Sequence, residues 1–154
     1  MFVYLVQHAE PKSKDIDPDR HLTEKGINDI EKVGAFAKAA GVKVDVIWHS
    51  CKTRAAQTAE ILAKNVIGEE GVFQHDGLAP NDDPEIIKKE LAESEKNTMI
   101  VGHLPFLGKL AASLLTDNDS LSIVTFQQGG IVCLERDEDK RWHIAWMIVP
   151  EIIA

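Results

Sequence analysis

The stretch FVYLVQHAE, residues 2–10, decides the fold, because an apolar run rich in β-branched residues ends abruptly at a histidine. Such a run predicts a buried strand of a parallel sheet. In open α/β sheets, the groups that handle ligands lie beyond the carboxyl ends of the strands. A histidine at a strand end is also commonly a hydrogen-bonded structural residue, so His8 alone does not identify a function.

A second apolar run strengthens the functional reading of His8. Residues 98–101 are followed by Gly102-His103-Leu104-Pro105, so this run also ends in a histidine. If the two strands are neighbours in a parallel sheet, their carboxyl ends meet at one edge. The sequence therefore predicts that His8 and His103 lie close together.

Size and charge restrict the class of protein. The chain has 154 residues, with 44% hydrophobic and 27% charged residues, which is typical of one globular domain spanning residues 1–154. Its formal net charge of -8 argues against a general nucleic-acid binder and against binding to an anionic membrane surface, since both need a basic face. A small anionic substrate is still allowed, because the local field matters more than the total charge.

The cysteines and the amino terminus indicate a cytoplasmic protein. Cys51 and Cys133 are isolated and form no CxxC pair, as expected of free thiols. Met1 leads directly into the first predicted strand, without the pattern of a signal peptide. No apolar run approaches the length of a membrane span.

Helical and strand patterns alternate along the chain. Thr23 is a candidate N-cap for a helix that begins at Glu24, and Ser50 is a candidate cap for a second helix. Further helices are predicted from the apolar spacing after Pro84 and from Pro105. Strands are predicted at residues 2–7, 44–48, 71–75, 98–101, 121–126, 130–135 and 142–149. This order predicts a three-layer α/β/α sandwich whose sheet is mostly parallel and has antiparallel edge strands.

Right-handed crossovers place the loops that follow parallel strands at one edge of the sheet. His8, Ser50 with Arg54, the loop 78–83 and His103 should therefore converge there. Arg54 lies in the first turns of its helix, and helical side chains lean toward the helix amino terminus. Two histidines, an arginine and a helix amino terminus favour a phosphoryl group as the ligand.

Four segments carry a resemblance to a known family. Val6-Gln7-His8-Ala9 resembles the Arg-His-Gly signature of the histidine phosphatase superfamily, the phosphoglycerate-mutase-like enzymes. Residues 20–26 (RHLTEKG) resemble its R-x-L-T-x-x-G segment, residues 50–59 (SCKTRAAQTA) its S-P-x-x-R-A-x-Q-T-A element, and residues 101–103 (VGH) its second-histidine strand. The segments occur in the family's order, and the short chain without an inserted cap domain is most similar to SixA-type phosphohistidine phosphatases.

The resemblance implies a phosphoglycerate-mutase-like fold and a covalent phosphatase mechanism. His8 would attack phosphorus and form a phosphohistidine that water hydrolyses. Arg54 and His103 would bind the phosphoryl oxygens, with Arg20 and Gln7 as further phosphate-binding candidates. The implied substrate is a phosphohistidine protein or a small phosphorylated molecule. No metal and no cofactor is implied.

The chain departs from the family pattern at three places. Gln7 stands where the family has arginine, which removes a cation and a bidentate fork. Ala9 replaces the glycine after the histidine. The Leu78-Ala79-Pro80 loop lacks the glutamate that many relatives use as a general acid, leaving Glu10, Asp82 and Asp83 as candidate acids.

Two alternatives remain at the level of sequence. A pseudophosphatase weakened by Gln7 would bind phosphate or a phosphoprotein without turnover. A zinc or iron site formed by His8, His103 and Glu10 or an aspartate is the other, although no HxH or HExxH spacing is present. The sequence leaves the oligomeric state open and is compatible with a monomer.

Overall fold

The computed structural model describes the backbone of all 154 residues, and the side chains of all of them except residues 67–69. It contains six strands and four α-helices, with a short 3-10 helix at Pro150–Ile152. In chain order these are β1 (Phe2–Gln7), α1 (Glu24–Ala39), β2 (Val44–His49), α2 (Thr53–Val66), β3 (Ile67–Gln74), α3 (Pro84–Glu93), β4 (Thr98–Gly102), α4 (Phe106–Thr116), β5 (Ile131–Arg136) and β6 (Trp142–Ile148).

The six strands form one sheet in the order β3-β2-β4-β1-β5-β6. The four strands from β3 to β1 run parallel, whereas β5 and β6 pair antiparallel at the other side. The predicted mostly parallel sheet with antiparallel edge strands is therefore confirmed. No helix in the described chain is both long and apolar enough to cross a bilayer.

Strand β1 shows how the sheet holds two helical layers. Successive side chains of a strand point to opposite faces. Tyr4 and Val6 enter the core under α1 and α2, while Val3 and Leu5 enter the core under α3 and α4. A strand buried on both faces is uniformly apolar, which explains why residues 2–6 show no alternation of polar and apolar residues.

The pairing of β1 with β4 brings the two histidines together. Gln7 pairs with Gly102, and the next residue, His8, donates its backbone N–H to Gly102 O at 3.1 Å. Strand β2 ends beside them, because the Ser50 N–H bonds to Val101 O at 3.2 Å. The carboxyl ends of β1, β2 and β4 thus form one edge of the sheet, which we call the histidine rim.

Thr23 is the N-cap of α1, as predicted, and its hydroxyl accepts from the Gly26 N–H at 2.9 Å. Two other local predictions were wrong. Residues 121–126 are not a strand: they lie outside the six-stranded sheet, with Leu121 and Ile123 exposed and Phe126 packed into the core under α3 and α4. Ser50 does not directly precede a helix, since α2 begins at Thr53.

Candidate active site

His8 lies immediately beyond β1 and only 7% of its surface is exposed. Its Nδ1 lies 2.8 Å from the carbonyl oxygen of Ala9. A carbonyl oxygen can only accept a hydrogen bond, so Nδ1 must carry the hydrogen in this contact. When the ring is neutral, Nε2 then has a free lone pair, as a nucleophile requires.

His103 follows β4 and is 2% exposed. Its ring centroid lies 5.0 Å from that of His8, and its Nε2 lies 2.6 Å from Ser50 Oγ. Ser50 Oγ also accepts a bond from the Lys52 N–H at 3.3 Å, which leaves the hydroxyl hydrogen free for His103 Nε2. In that arrangement His103 Nδ1 carries a hydrogen that it can donate.

Burial lowers the pKa of both histidines. The pKa of His8 falls from 6.5 to about 4, mainly because burial disfavours the charged ring, with a smaller effect of the nearby Arg54 and Arg20 charges. The pKa of His103 falls to about 3, again mainly through burial, with His8 and Arg54 adding to the effect. Both rings are therefore neutral at pH 7.

Three buried polar atoms without a hydrogen-bond partner occur among the described side chains. They are Gln7 Oε1, Arg54 Nε and His103 Nδ1. Buried polar groups in proteins are nearly always paired, so each exception calls for an explanation. All three belong to residues that the sequence assigned to one site, which indicates a place built for a polar ligand.

Arg54 occupies the first turn of α2, where burial lowers its pKa and Arg20 adds to the effect. One turn later, Thr58 connects this helix to the segment that carries His8. Thr58 Oγ1 donates to Arg54 O at 2.8 Å and accepts from the Ala9 N–H at 3.0 Å. The threonine therefore fixes the backbone beside His8 relative to the helix that carries Arg54.

The segment 20–26 holds the loop that follows His8. Thr23 Oγ1 donates to Glu10 Oε2 at 2.6 Å, and the Thr23 N–H bonds to Glu10 O at 2.9 Å. A Cβ on Gly26 would lie 2.4 Å from Glu10 O, so only glycine allows this close approach. Gln57 adds a further contact, because its Oε1 accepts from the Leu22 N–H at 2.7 Å.

Sequence reasoning did not identify Gln57, Thr58 or the hydroxyl of Ser50 as positioning residues. Their contacts span 35, 49 and 53 residues of chain, which no local pattern reveals. The signal that was available is the spacing of the 50–59 segment. Gln57 and Thr58 lie three and four residues after Arg54, which is about one helical turn.

Arg20 belongs to the loop 9–21 and has a left-handed backbone with φ 53°. Its Nε donates to Lys12 O at 3.2 Å. Asp17 Oδ2 accepts from both the His21 N–H and His21 Nδ1, at 2.9 and 2.7 Å, which closes the loop around Arg20. The loop thus presents Arg20 toward Arg54.

Candidate site residues line two separate cavities. The basic cavity, of about 390 Å³, is lined by Lys14, Pro18, Asp19, Arg20, Cys51, Lys52, Thr53 and Arg54. The amide cavity, of about 330 Å³, is lined by Gln7, Glu10, Lys25, Asp29, Leu104, Phe126, Gln127, Gln128 and Glu151. Gln7 and the cluster of four cations therefore line different cavities.

The three candidate acids lie in different surroundings. Glu10 lines the amide cavity, with its carboxylate bonded to Thr23. Asp82 Oδ2 accepts from the Ala79 N–H at 2.8 Å and stabilises the turn there. Asp83 is the N-cap of α3 and accepts from the Glu85 N–H at 3.0 Å. Both aspartates thus have structural contacts, and Glu10 is the one that lines a cavity of the site.

Comparison with solved structures supports the same architecture. The chain superposes on the protein histidine phosphatase SixA complexed with tungstate with a TM-score of 0.87, at 21% identity and with 100% of each chain covered. It also matches a protein from Agrobacterium tumefaciens assigned as a phosphohistidine phosphatase SixA, with a TM-score of 0.75 at 26% identity, covering 97% of each chain. At these identities the likeness describes the fold.

Sequence comparison adds the family. A 2,3-bisphosphoglycerate-dependent phosphoglycerate mutase of Xanthobacter autotrophicus (strain ATCC BAA-1158 / Py2) is 39% identical over 66 residues, which are 43% of this chain and 30% of that enzyme. The chain thus matches less than a third of this curated relative. The model of the histidine phosphatase superfamily (branch 1) matches residues 3–79, which is half of the 154 residues. These residues carry His8, Arg20 and Arg54, and on that match the chain belongs to the histidine phosphatase superfamily.

Proposed function

We propose that this protein is a phosphatase that transfers a phosphoryl group to His8 and then to water. The observation that carries the proposal is the bond between His8 Nδ1 and Ala9 O, at 2.8 Å. It gives Nε2 the lone pair that a nucleophile needs, in a ring whose pKa is lowered to about 4. The same ring lies 5.0 Å from His103 and close to Arg54.

The reaction has two steps. His8 Nε2 attacks phosphorus, the bond from phosphorus to the leaving group breaks with its electron pair passing to the leaving atom, and that atom takes a proton from Glu10 or from solvent water. Water then attacks the phosphohistidine, the bond between phosphorus and Nε2 breaks, and inorganic phosphate is released. Arg54 and His103 Nδ1 stabilise the charge on the phosphoryl oxygens in both steps, with Arg20 at the edge of the site.

The substrate that we propose is a phosphohistidine protein. A P–N bond to imidazole breaks readily once the imidazole is protonated, so the reaction depends less on a strong general acid. The contacts of Asp82 and Asp83 with the backbone agree with such a substrate. The full-length likeness to the SixA structure supports the same class.

Phosphate release from a purified phosphohistidine-carrying protein tests this function. We expect release by the native chain and none by His8→Ala, while His143→Ala, a change on the exposed strand β6, should keep it. Activity should persist with a chelator, since the proposed steps use no metal.

Two results would overturn the proposal. One is phosphate release that is unchanged in His8→Ala, and the other is binding of the phosphoprotein without release by the native chain. The second result would identify a binding protein without turnover, an alternative that the comparisons do not support. Faster hydrolysis of alkyl phosphates than of phosphohistidine would overturn the substrate class alone.

A further inference from the structure

The basic cavity concentrates positive charge in an acidic protein. The whole chain has 17 Lys and Arg residues against 25 Asp and Glu residues. The cavity lining reverses this ratio, with Lys14, Arg20, Lys52 and Arg54 against the single carboxylate of Asp19. Composition does not account for such a cluster, so it calls for an explanation of its own.

The phosphoryl group accounts for only part of this charge. In the proposed mechanism Arg54 binds the phosphoryl group, with Arg20 at the edge of the site. Lys14 and Lys52 have no role in that mechanism. These two lysines come from separate segments, the loop 9–21 and the turn before α2, yet they line one cavity. Both side chains are exposed, so a ligand can reach them.

Four of the 13 lysines of the chain are neutralised by carboxylates, and the other nine form no ion pair among the described side chains; Lys14 and Lys52 are the two of these nine that line the basic cavity. Lys25, Lys88, Lys96 and Lys140 each form an ion pair at 2.6 to 2.7 Å. Among the side chains that the structure describes, Lys14 and Lys52 have no such pair within 4.0 Å. Their charge is therefore available to a ligand.

We infer that the basic cavity is a subsite for a second anionic group of the substrate, beside the transferred phosphoryl group. On the proposed function, on which this inference rests, that group is a carboxylate flanking the phosphohistidine of a protein. The cavity of about 390 Å³ adjoins Arg54, so one substrate can occupy both places. The influence of Lys52 on the pKa of His103 agrees with this proximity.

Because the lysines are exposed, their effect should be electrostatic and sensitive to salt. Charges at the rim of an interface mainly change the rate of association, and salt screens them. Loss of Lys52 should therefore raise KM and leave kcat nearly unchanged. A purely structural role would not distinguish substrates by their charge.

A binding experiment tests the subsite without turnover. We would measure the affinity of inorganic phosphate and of pyrophosphate for the native protein, for Lys14→Gln and for Lys52→Gln, with Lys89→Gln on the exposed side of α3 as the control. Each cavity variant should weaken pyrophosphate about threefold more than it weakens phosphate. The control should leave both affinities unchanged. Equal losses for the two anions would overturn the inference.

A kinetic experiment identifies the source of the second anion. Two phosphohistidine peptides that differ only in carrying glutamate or glutamine beside the phosphorylated residue are compared. Lys52→Gln should raise KM for the glutamate peptide by about threefold and leave the glutamine peptide unchanged, and added salt should abolish the difference. A loss seen with pyrophosphate but with neither peptide would overturn the assignment to a phosphoprotein and point to a small substrate.

The two proposals fail in different ways. If no phosphate is released but the affinity for pyrophosphate still depends on Lys14 and Lys52, the phosphatase proposal fails and the subsite stands. If His8-dependent release occurs and neither lysine distinguishes the paired ligands, the phosphatase proposal stands and the subsite fails.

Discussion

On acidification, the two histidines of the site should stay neutral at pH values at which an unperturbed histidine is already protonated. The pKa of His8 is about 4 and that of His103 about 3, against 6.5 for an unperturbed side chain. At pH 5.5 an unperturbed histidine is only about one-tenth neutral, whereas a group with a pKa of about 4 is almost entirely neutral. The nucleophile should therefore remain available in mildly acidic solution.

NMR titration of the histidine rings measures this directly and does not depend on a substrate. The ring signals missing from His8→Asn and from His103→Asn identify the two residues in the native spectrum. Between pH 8 and pH 5.5 neither ring should titrate, whereas in urea both should show a midpoint near ~6.5. Arg54→Gln should move the pKa of His8 only part of the way back toward 6.5, because burial is the larger cause of the shift. A folded-state midpoint near 6.5 for either ring would refute the reasoning from burial.

The same shift makes folding depend on pH. The folded-state pKa of His8 lies below its unfolded value, so the unfolded chain binds more protons between about pH 4 and pH 6.5. The stability due to neutral His8 is fully present above that range and is lost as the pH falls through it. From the two pKa values, the free energy of unfolding should be about 2 kcal/mol lower at pH 5 than at pH 7.5 on account of His8. Urea unfolding of the native chain and of His8→Asn at both pH values isolates this share, and an equal pH dependence in the two would contradict it.

Four substitutions test other parts of the structure. Gln7→Arg should restore a cationic donor at the site and raise the rate of phosphate release by ~10² to 10³; an unchanged rate would show that the glutamine does not limit turnover. Gly26→Ala should lower the free energy of unfolding by about 1–3 kcal/mol, because its Cβ would lie 2.4 Å from Glu10 O. The matched change Gly108→Ala, whose Cβ meets only Leu104 at 4.0 Å, should instead stabilise α4 by up to about 1 kcal/mol; urea unfolding that ranks the two alike would reject this packing argument. Arg136→Leu should cost about 2–3 kcal/mol in the same assay, since the buried guanidinium donates to the carbonyl oxygens of residues 91 and 94.

Local signals in the sequence predicted most of the elements that build the histidine rim. Residues 2–7 are apolar on both faces, which is typical of a central parallel strand, and β1 lies between β4 and β5. Thr23 predicted the start of α1 because capping is a local interaction between residues three apart. The prediction that His8 and His103 lie close together required only one further rule, that the carboxyl ends of parallel strands meet at the same edge of a sheet.

Contacts between distant segments were beyond sequence reasoning. The Leu121–Phe126 run has the composition of a strand, but it joins no strand of the sheet, and only Phe126 is buried in the core while Leu121 and Ile123 are exposed. The bonds from Thr58 to the Ala9 N–H and from Ser50 to His103 join residues about 50 positions apart. Serine and threonine side chains are common in helix caps and turns, so residue type alone favours a local role over a contact with a distant segment.

The position of β1 in the sheet has a consequence for synthesis on the ribosome. Strand β1, which precedes His8, is made before its two partners, β4 and β5, which span residues 98–102 and 131–136. Chains grow from the amino terminus at about 5–20 residues per second, so β1 waits for several seconds with both of its edges unpaired. His8 therefore meets His103 only after β4 has emerged, about a hundred residues after His8 itself was made, and β1 is paired on both edges only once β5 has followed.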